Sequence, residues 1–222
     1  MVPKNVFVFH YIRKGFTLVE LLVAIGVMAV ILGISMTGAP QSVARLALSD
    51  DVFKTELMLR QAQQEGSAVN SLSGNYGGAG IFFSITTPGV IFSFKDIIDP
   101  TIIRAVGIGN GVYNNSPIDE KNRVSNLSSR NTISRLCVAT SSGSPFYCNA
   151  LVPAAIPPIS DLTISFTRPK QTAHMYVNGL LTKDYSIACI EFKPASAVFA
   201  SSTKALYVYK NGMITKKASP CK

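Results

Sequence analysis

The 222-residue chain is poor in the side chains that usually carry catalysis, with two histidines, His10 and His174, and four cysteines. No Cys-x-x-Cys occurs, which disfavours a structural zinc site. One histidine beyond the first few residues gives a nucleophile triad no base at any recognised spacing. Charged residues are 15% of the chain and hydrophobic ones 47%, a balance that excludes a disordered or collagen-like polymer. Acids are scarce, 12 against 21 Lys and Arg, for a formal charge of +9; none precedes Glu20 and none follows Glu191. Gly107-Ile108-Gly109-Asn110-Gly111 has no following lysine and no βαβ context, so it does not read as a phosphate cradle.

The apolar residues are concentrated. Phe16 to Met36 carries one charge, Glu20, and no proline. At about 1.5 Å per residue such a helix reaches roughly 31 Å, the depth of a bilayer's hydrocarbon core. Lys4, Arg13 and Lys14 precede it without an acid, so the positive-inside rule places the N-terminus in the cytoplasm and the rest of the chain outside. A secretory signal has a shorter apolar stretch followed by its small-residue cleavage site. Here the small residue, Gly15, comes first. A carboxylate such as Glu20 costs about 2.5 to 3.5 kcal/mol at mid-bilayer unless it is partnered. No Lys or Arg lies between Phe16 and Pro40, so the counter-charge is an amino terminus or another chain, unless Glu20 snorkels to the headgroups.

The run Arg13-Lys14-Gly15-Phe16-Thr17-Leu18-Val19-Glu20, followed by Leu21-Leu22-Val23-Ala24-Ile25, resembles the type IV prepilin family: subunits of type IV pili, of type II secretion pseudopili and of DNA-uptake machines. The resemblance implies that a prepilin peptidase/methyltransferase cuts between Gly15 and Phe16, next to Lys14, and methylates the new amine of Phe16. It also implies that Glu20 neutralises the N-terminal amine of a neighbouring subunit. The chain would then be a substrate and not an enzyme, with no cofactor; its partners would be other pilin or pseudopilin subunits and the inner or cytoplasmic membrane. Asp51 to Ala68, Gly77 to Phe83, Ile91 to Asp96 and Leu162 to Pro169 are similar to stretches of the H-type minor pseudopilins and their FimT-like relatives.

The expected fold is α+β and pilin-like, with a long N-terminal helix on an antiparallel β-rich domain. Its parts are residues 1–15 as a cleaved leader, 16–38 as a transmembrane helix, 39–66 as the external half of that helix and 67–222 as the globular domain. Gly33, Gly38 and Pro40 predict a bend or a short melted stretch. From Ser42 to about Glu65 the helical reading resumes, with Leu46, Phe53 and Leu57 as its apolar face. Ser67 to Gly78 has loop composition. Strands are expected at Gly80–Ile85, Gly89–Phe94, Ile133–Ala139, Leu162–Arg168, Tyr185–Phe192 and Ala205–Lys210, and the Leu162–Thr167 alternation predicts burial on one face. Asn178-Gly179 and Asn211-Gly212 predict tight hairpins.

Cys137, Cys148, Cys189 and Cys221 all fall in the external part, where thiols oxidise. Three pairings are open. The turn composition of Ser141, Ser142, Gly143 and Pro145 favours Cys137 with Cys148, leaving Cys189 with Cys221; four buried thiols are the alternative. Asp96, Asp99, Asn110, Asn114, Asp119 and Glu120 collect oxygen ligands but lack an EF-hand's order, so no metal site is expected. Lys204, Lys210, Lys216 and Lys217, with Tyr207 and Tyr209, form either a phosphate-backbone contact or a solvated lysine edge. Three functional classes follow: a structural pilus or pseudopilus subunit, a DNA-binding minor pilin, and a processed membrane-anchored protein that never polymerises.

Overall fold

Alternating apolar residues with β-branched and aromatic content dominate the second half of the chain, and such segments are stable only when several strands bury a common face. The computed structural model describes residues 15–67, 76–97, 111–113, 121–149, 158–167, 172–180, 184–196 and 202–221. It divides into two compact units, Met1–Ser42 and Val43–Lys222. One helix, α1 (Leu18–Ser67), runs from the first into the second.

The second unit holds two five-stranded sheets, antiparallel throughout. The first has the order β3-β2-β1-β6-β7, from Lys121–Asn126, Val90–Ile97, Tyr76–Ser84, Asp161–Thr167 and Ala173–Val177. The second has the order β10-β9-β8-β4-β5, from Ile214–Lys217, Lys204–Tyr209, Ile187–Pro194, Asn131–Ala139 and Tyr147–Cys148. Phe83 and Ile164 of the first sheet, Leu136 and Ile190 of the second, and Leu48, Val52 and Leu59 of α1 belong to one buried cluster. Deleting a fully buried Leu side chain from such a cluster costs about 2 to 5 kcal/mol.

Two tether points seat the helix on the strands. Asp51, almost fully buried, accepts hydrogen bonds on Oδ2 from the Ser128 amide at 3.0 Å and from Asn131 Nδ2 at 2.6 Å, which ties α1 to the β3–β4 turn. Near the helix's end, Gly66 lies so close to β6 that a Cβ there would collide with the Phe166 carbonyl oxygen. Only glycine allows that approach.

Several expectations need correction. The helical hydrogen-bond pattern continues through Gly33, Gly38 and Pro40 with no melted stretch. A proline removes one donor, and the turns on either side of it can still close. The face that packs is also different. Leu46 is 69% exposed, and Phe53 and Leu57 are each 49% exposed; Ala44, Leu48, Val52, Leu59 and Ala62 go inward instead. The helix is apolar on two faces, and the buried one includes Asp51, Thr55 and Glu56, whose polar atoms find partners there.

Strand β1 starts at Tyr76, within the stretch read as a loop, because Gly78 and Gly80 pair in register between β2 and β6. Strands β3, β5, β7 and β10 carry too little periodicity to have been expected. In β6, Thr163 and Ser165 are as buried as the apolar positions. The strand is central, between β1 and β7, and Thr163 sits opposite Phe82 on one side and Tyr176 on the other.

Asn211-Gly212 closes the β9–β10 hairpin, with Gly212 at φ 84°. Asn178 and Gly179 both have positive φ, 51° and 73°, in a tight turn that bridges Val177 to Leu180. The Asn178 side chain accepts the Ser160 and Asp161 amides at 2.9 and 3.1 Å, so this turn also pins the start of β6.

Candidate functional site

The N-terminal segment is built from local rules. Gly15, Phe16 and Thr17 precede the helix and are exposed. Thr17 is the N-cap: its Oγ1 accepts the Glu20 amide at 3.3 Å and its carbonyl accepts the Leu21 amide at 3.2 Å. Thr17-x-x-Glu20 has the spacing of a capping box, and a carboxylate in the first turn is favoured by the helix dipole by about 0.3 to 1 kcal/mol. This second reason for Glu20 was present in the sequence and was missed by reasoning about the membrane alone. The Gly15–Phe16 peptide bond lies in non-helical, accessible chain, the geometry that proteolysis requires. Lys14 lies outside the described residues.

Beyond the cap, every large apolar side chain from Leu18 to Ile34 is more than half exposed. A helix that is apolar all round belongs in lipid or among other helices. Among the described residues no helix is long and apolar enough to cross a membrane. Side chains of the apolar run are described as far as Ile34, which from Leu18 amounts to about 25 Å, short of the roughly 30 Å hydrocarbon layer. The last part of the expected 16–38 span lies beyond them. A second exposed stripe, Val43, Leu46, Phe53 and Leu57, follows on α1 within the second unit.

The four C-terminal lysines do not form one face. Lys204, Lys216 and Lys217 converge, with Ser49, Asp50 and Phe53 of α1, on a cleft of about 430 Å³. Lys210, one residue past the end of β9 opposite Lys204, pairs with Asp184. Within the cleft Lys204 Nζ donates to Ser49 Oγ at 2.9 Å, and Lys216 Nζ pairs with Glu56 Oε2 at 2.6 Å while lying 5.1 Å from the Phe53 ring centre. Lys217 Nζ is 4.7 Å from the centre of the Tyr207 ring. Each lysine therefore has an intramolecular partner. Glu56 also accepts Arg60 Nε and Nη2 at 3.0 and 2.8 Å. Burial by itself raises the Glu56 pKa; the hydrogen bonds and charges of Lys216 and Arg60 more than reverse this and hold it below its ordinary value.

The cysteines form two disulfides, Cys137–Cys148 with Cα atoms 4.0 Å apart and Cys189–Cys221 at 6.0 Å. Cys189–Cys221 closes the C-terminal segment onto the second sheet, where the Cys221 amide donates to Glu191 Oε2 at 3.2 Å and the Tyr207 hydroxyl donates to the Pro220 carbonyl at 3.3 Å.

Of the oxygen-rich candidates, Asp96 is fully buried and accepts the Gly111 amide at 2.8 Å; Asp99, Asn110, Asn114, Asp119 and Glu120 lie outside the described residues. Among the described residues no three metal-binding side chains gather. His174 is half-buried, and burial together with the charge of Lys210 lowers its pKa against the opposing pull of Asp184.

No curated protein and no solved structure matches the chain. Residues 12–36 match the family model of the prokaryotic N-terminal methylation motif. That stretch contains Lys14, Gly15, Phe16, Thr17 and Glu20, and it carries a type IV prepilin-like signal, which implies processing by prepilin peptidase and assembly with pilin-like subunits.

Proposed function

We propose that the chain is a structural subunit, a minor pilin or pseudopilin of the H-type and FimT-like kind, drawn from the membrane into a type IV pilus or type II secretion pseudopilus. The observation that carries this reading is the joining of the methylation motif to a helix whose apolar residues are exposed on every side. Residues 16–38 span the bilayer before assembly. Cleavage after Gly15 places the amine of Phe16 one helical turn from Glu20, and lateral contact then offers each Glu20 carboxylate an amine from a neighbour. The stripe Val43, Leu46, Phe53 and Leu57 extends the apolar surface available to neighbouring subunits beyond the membrane segment.

Co-expression with an active prepilin peptidase tests the first step. Intact-mass measurement is expected to show the loss of residues 1–15 and one added methyl group on Phe16. Full-length protein persisting beside an active enzyme would refute the reading. The second step is tested with Glu20→Ala, which is expected to be processed normally and to be absent from sheared filaments; wild-type levels of incorporation would reject the role given to Glu20.

A further inference from the structure

In the second sheet, Cys137 of β4 stands directly opposite Cys148 of β5 on one side and directly opposite Cys189 of β8 on the other. All four cysteines belong to one buried cluster with Ala139, Ile187, Ala205 and Tyr207. Directly opposed residues of an antiparallel pair have Cα atoms about 4.5 to 5.5 Å apart, inside the range that a disulfide spans. The strand register therefore offers Cys137 two disulfide partners on the same face. In the native pairing Cys137 is bonded to Cys148 and Cys189 to Cys221, and Cys221 lies on the short segment after β10.

We propose that the four cysteines form a thiol–disulfide exchange unit in which Cys221 selects the pairing. When Cys189–Cys221 is opened by a dithiol reductant, which is oxidised to its own disulfide, Cys189 is left as a thiolate beside Cys137. Its sulfur attacks Cys137 Sγ, the Cys137–Cys189 bond forms, the Cys137–Cys148 bond breaks, and Cys148 leaves as a thiolate that takes a proton from solvent. The number of disulfides does not change in this second step. The native pairing clasps β5 to β4 and the C-terminal segment to β8. The exchanged pairing clasps β4 to β8 and frees both β5 and the C-terminal segment. Attack on a disulfide needs access as well as a thiolate; with all four cysteines buried, opening of Cys189–Cys221 waits on the C-terminal segment lifting from β8.

The test uses the full chain in detergent, with thiols trapped by alkylation and linkages mapped by mass spectrometry after non-reducing digestion. In Cys221→Ser, the Cys137–Cys189 peptide with alkylated Cys148 is expected to appear. Its rate of formation should rise with pH from 6 to 8, because the thiolate and not the thiol attacks the disulfide. Cys137–Cys148 persisting alone with alkylated Cys189, across that pH range, overturns the proposal. The double variant Cys148→Ser/Cys221→Ser, incubated with oxidised glutathione, which is reduced to two glutathione thiols, is expected to form Cys137–Cys189 and keep its β-sheet circular dichroism; two free thiols in a folded chain would likewise overturn it. Wild-type protein under limiting dithiol supplies a measurement free of substitutions, in which Cys137–Cys189 should accumulate after Cys221 is released, and its absence at every reduction stage counts against exchange.

Discussion

Glu56 joins α1 to the β9–β10 hairpin, and the strength of that joint is open to measurement. Its side chain is 10% exposed, against 46% for Lys216 and 52% for Arg60. Exposed ion pairs contribute about 0.2 to 1 kcal/mol and helical i,i+4 pairs about 0.3 to 0.5. The Glu56 carboxylate is largely desolvated while its partners are half-solvated, so the Lys216 contact belongs near the top of that range, about 1 kcal/mol. Glu56→Gln, which keeps the shape and one acceptor, should therefore cost about 1 to 2 kcal/mol in all and lower Tm by about 3 to 6 °C for a unit of this size. A double-mutant cycle with Lys216→Met isolates the pair, and the expected coupling at pH 7 is about 1 kcal/mol. The folded-state pKa of Glu56 is depressed. Its contribution is consequently complete above the unfolded carboxyl pKa, near 4.3, and is lost as pH falls through the folded value. Chemical denaturation of the detergent-solubilised chain at pH 7 and again near pH 3 measures both quantities. No coupling at pH 7, or the same coupling at both pH values, would refute the reasoning.

Two further substitutions probe how the helix is seated. Asp51→Ala leaves the Ser128 amide and the Asn131 side chain without their carboxylate; a loss of about 3 kcal/mol is expected, of which Asp51→Asn should recover at least half, measured as a shift in denaturation midpoint at constant slope. Gly66→Ala puts a methyl group against the Phe166 carbonyl and should cost about 1 to 3 kcal/mol although alanine is the better helix former; stabilisation of the variant in thermal melts would show that the helix end does not rest on β6.

The N-terminal signal was legible in the sequence because it is made of contiguous residues: the cationic flank, Gly15, Phe16, the Thr17–Glu20 spacing and the apolar run all act through local chemistry and length. Six strands, β1, β2, β4, β6, β8 and β9, were legible for a similar reason, since a two-residue period survives without tertiary information. The β9–β10 turn was also marked in advance, because Gly212 supplies a backbone conformation that few residues adopt.

Long-range pairing was not legible. Leu46, Phe53 and Leu57 have the same periodicity as Leu48, Val52 and Leu59, and only the position of the two sheets determines which stripe is buried. The four lysines look equivalent along the chain. The hairpin sends three to a cleft on α1 and leaves Lys210 with Asp184, because Lys204 and Lys216, twelve residues apart in sequence, lie at the same end of the hairpin while Lys204 and Lys210 flank opposite ends of one strand. The cysteines show the division most clearly. Turn composition suggested a pairing from sequence alone, whereas the placement of Cys137 between two potential partners is a property of strand order, which hydrogen bonding between distant segments decides.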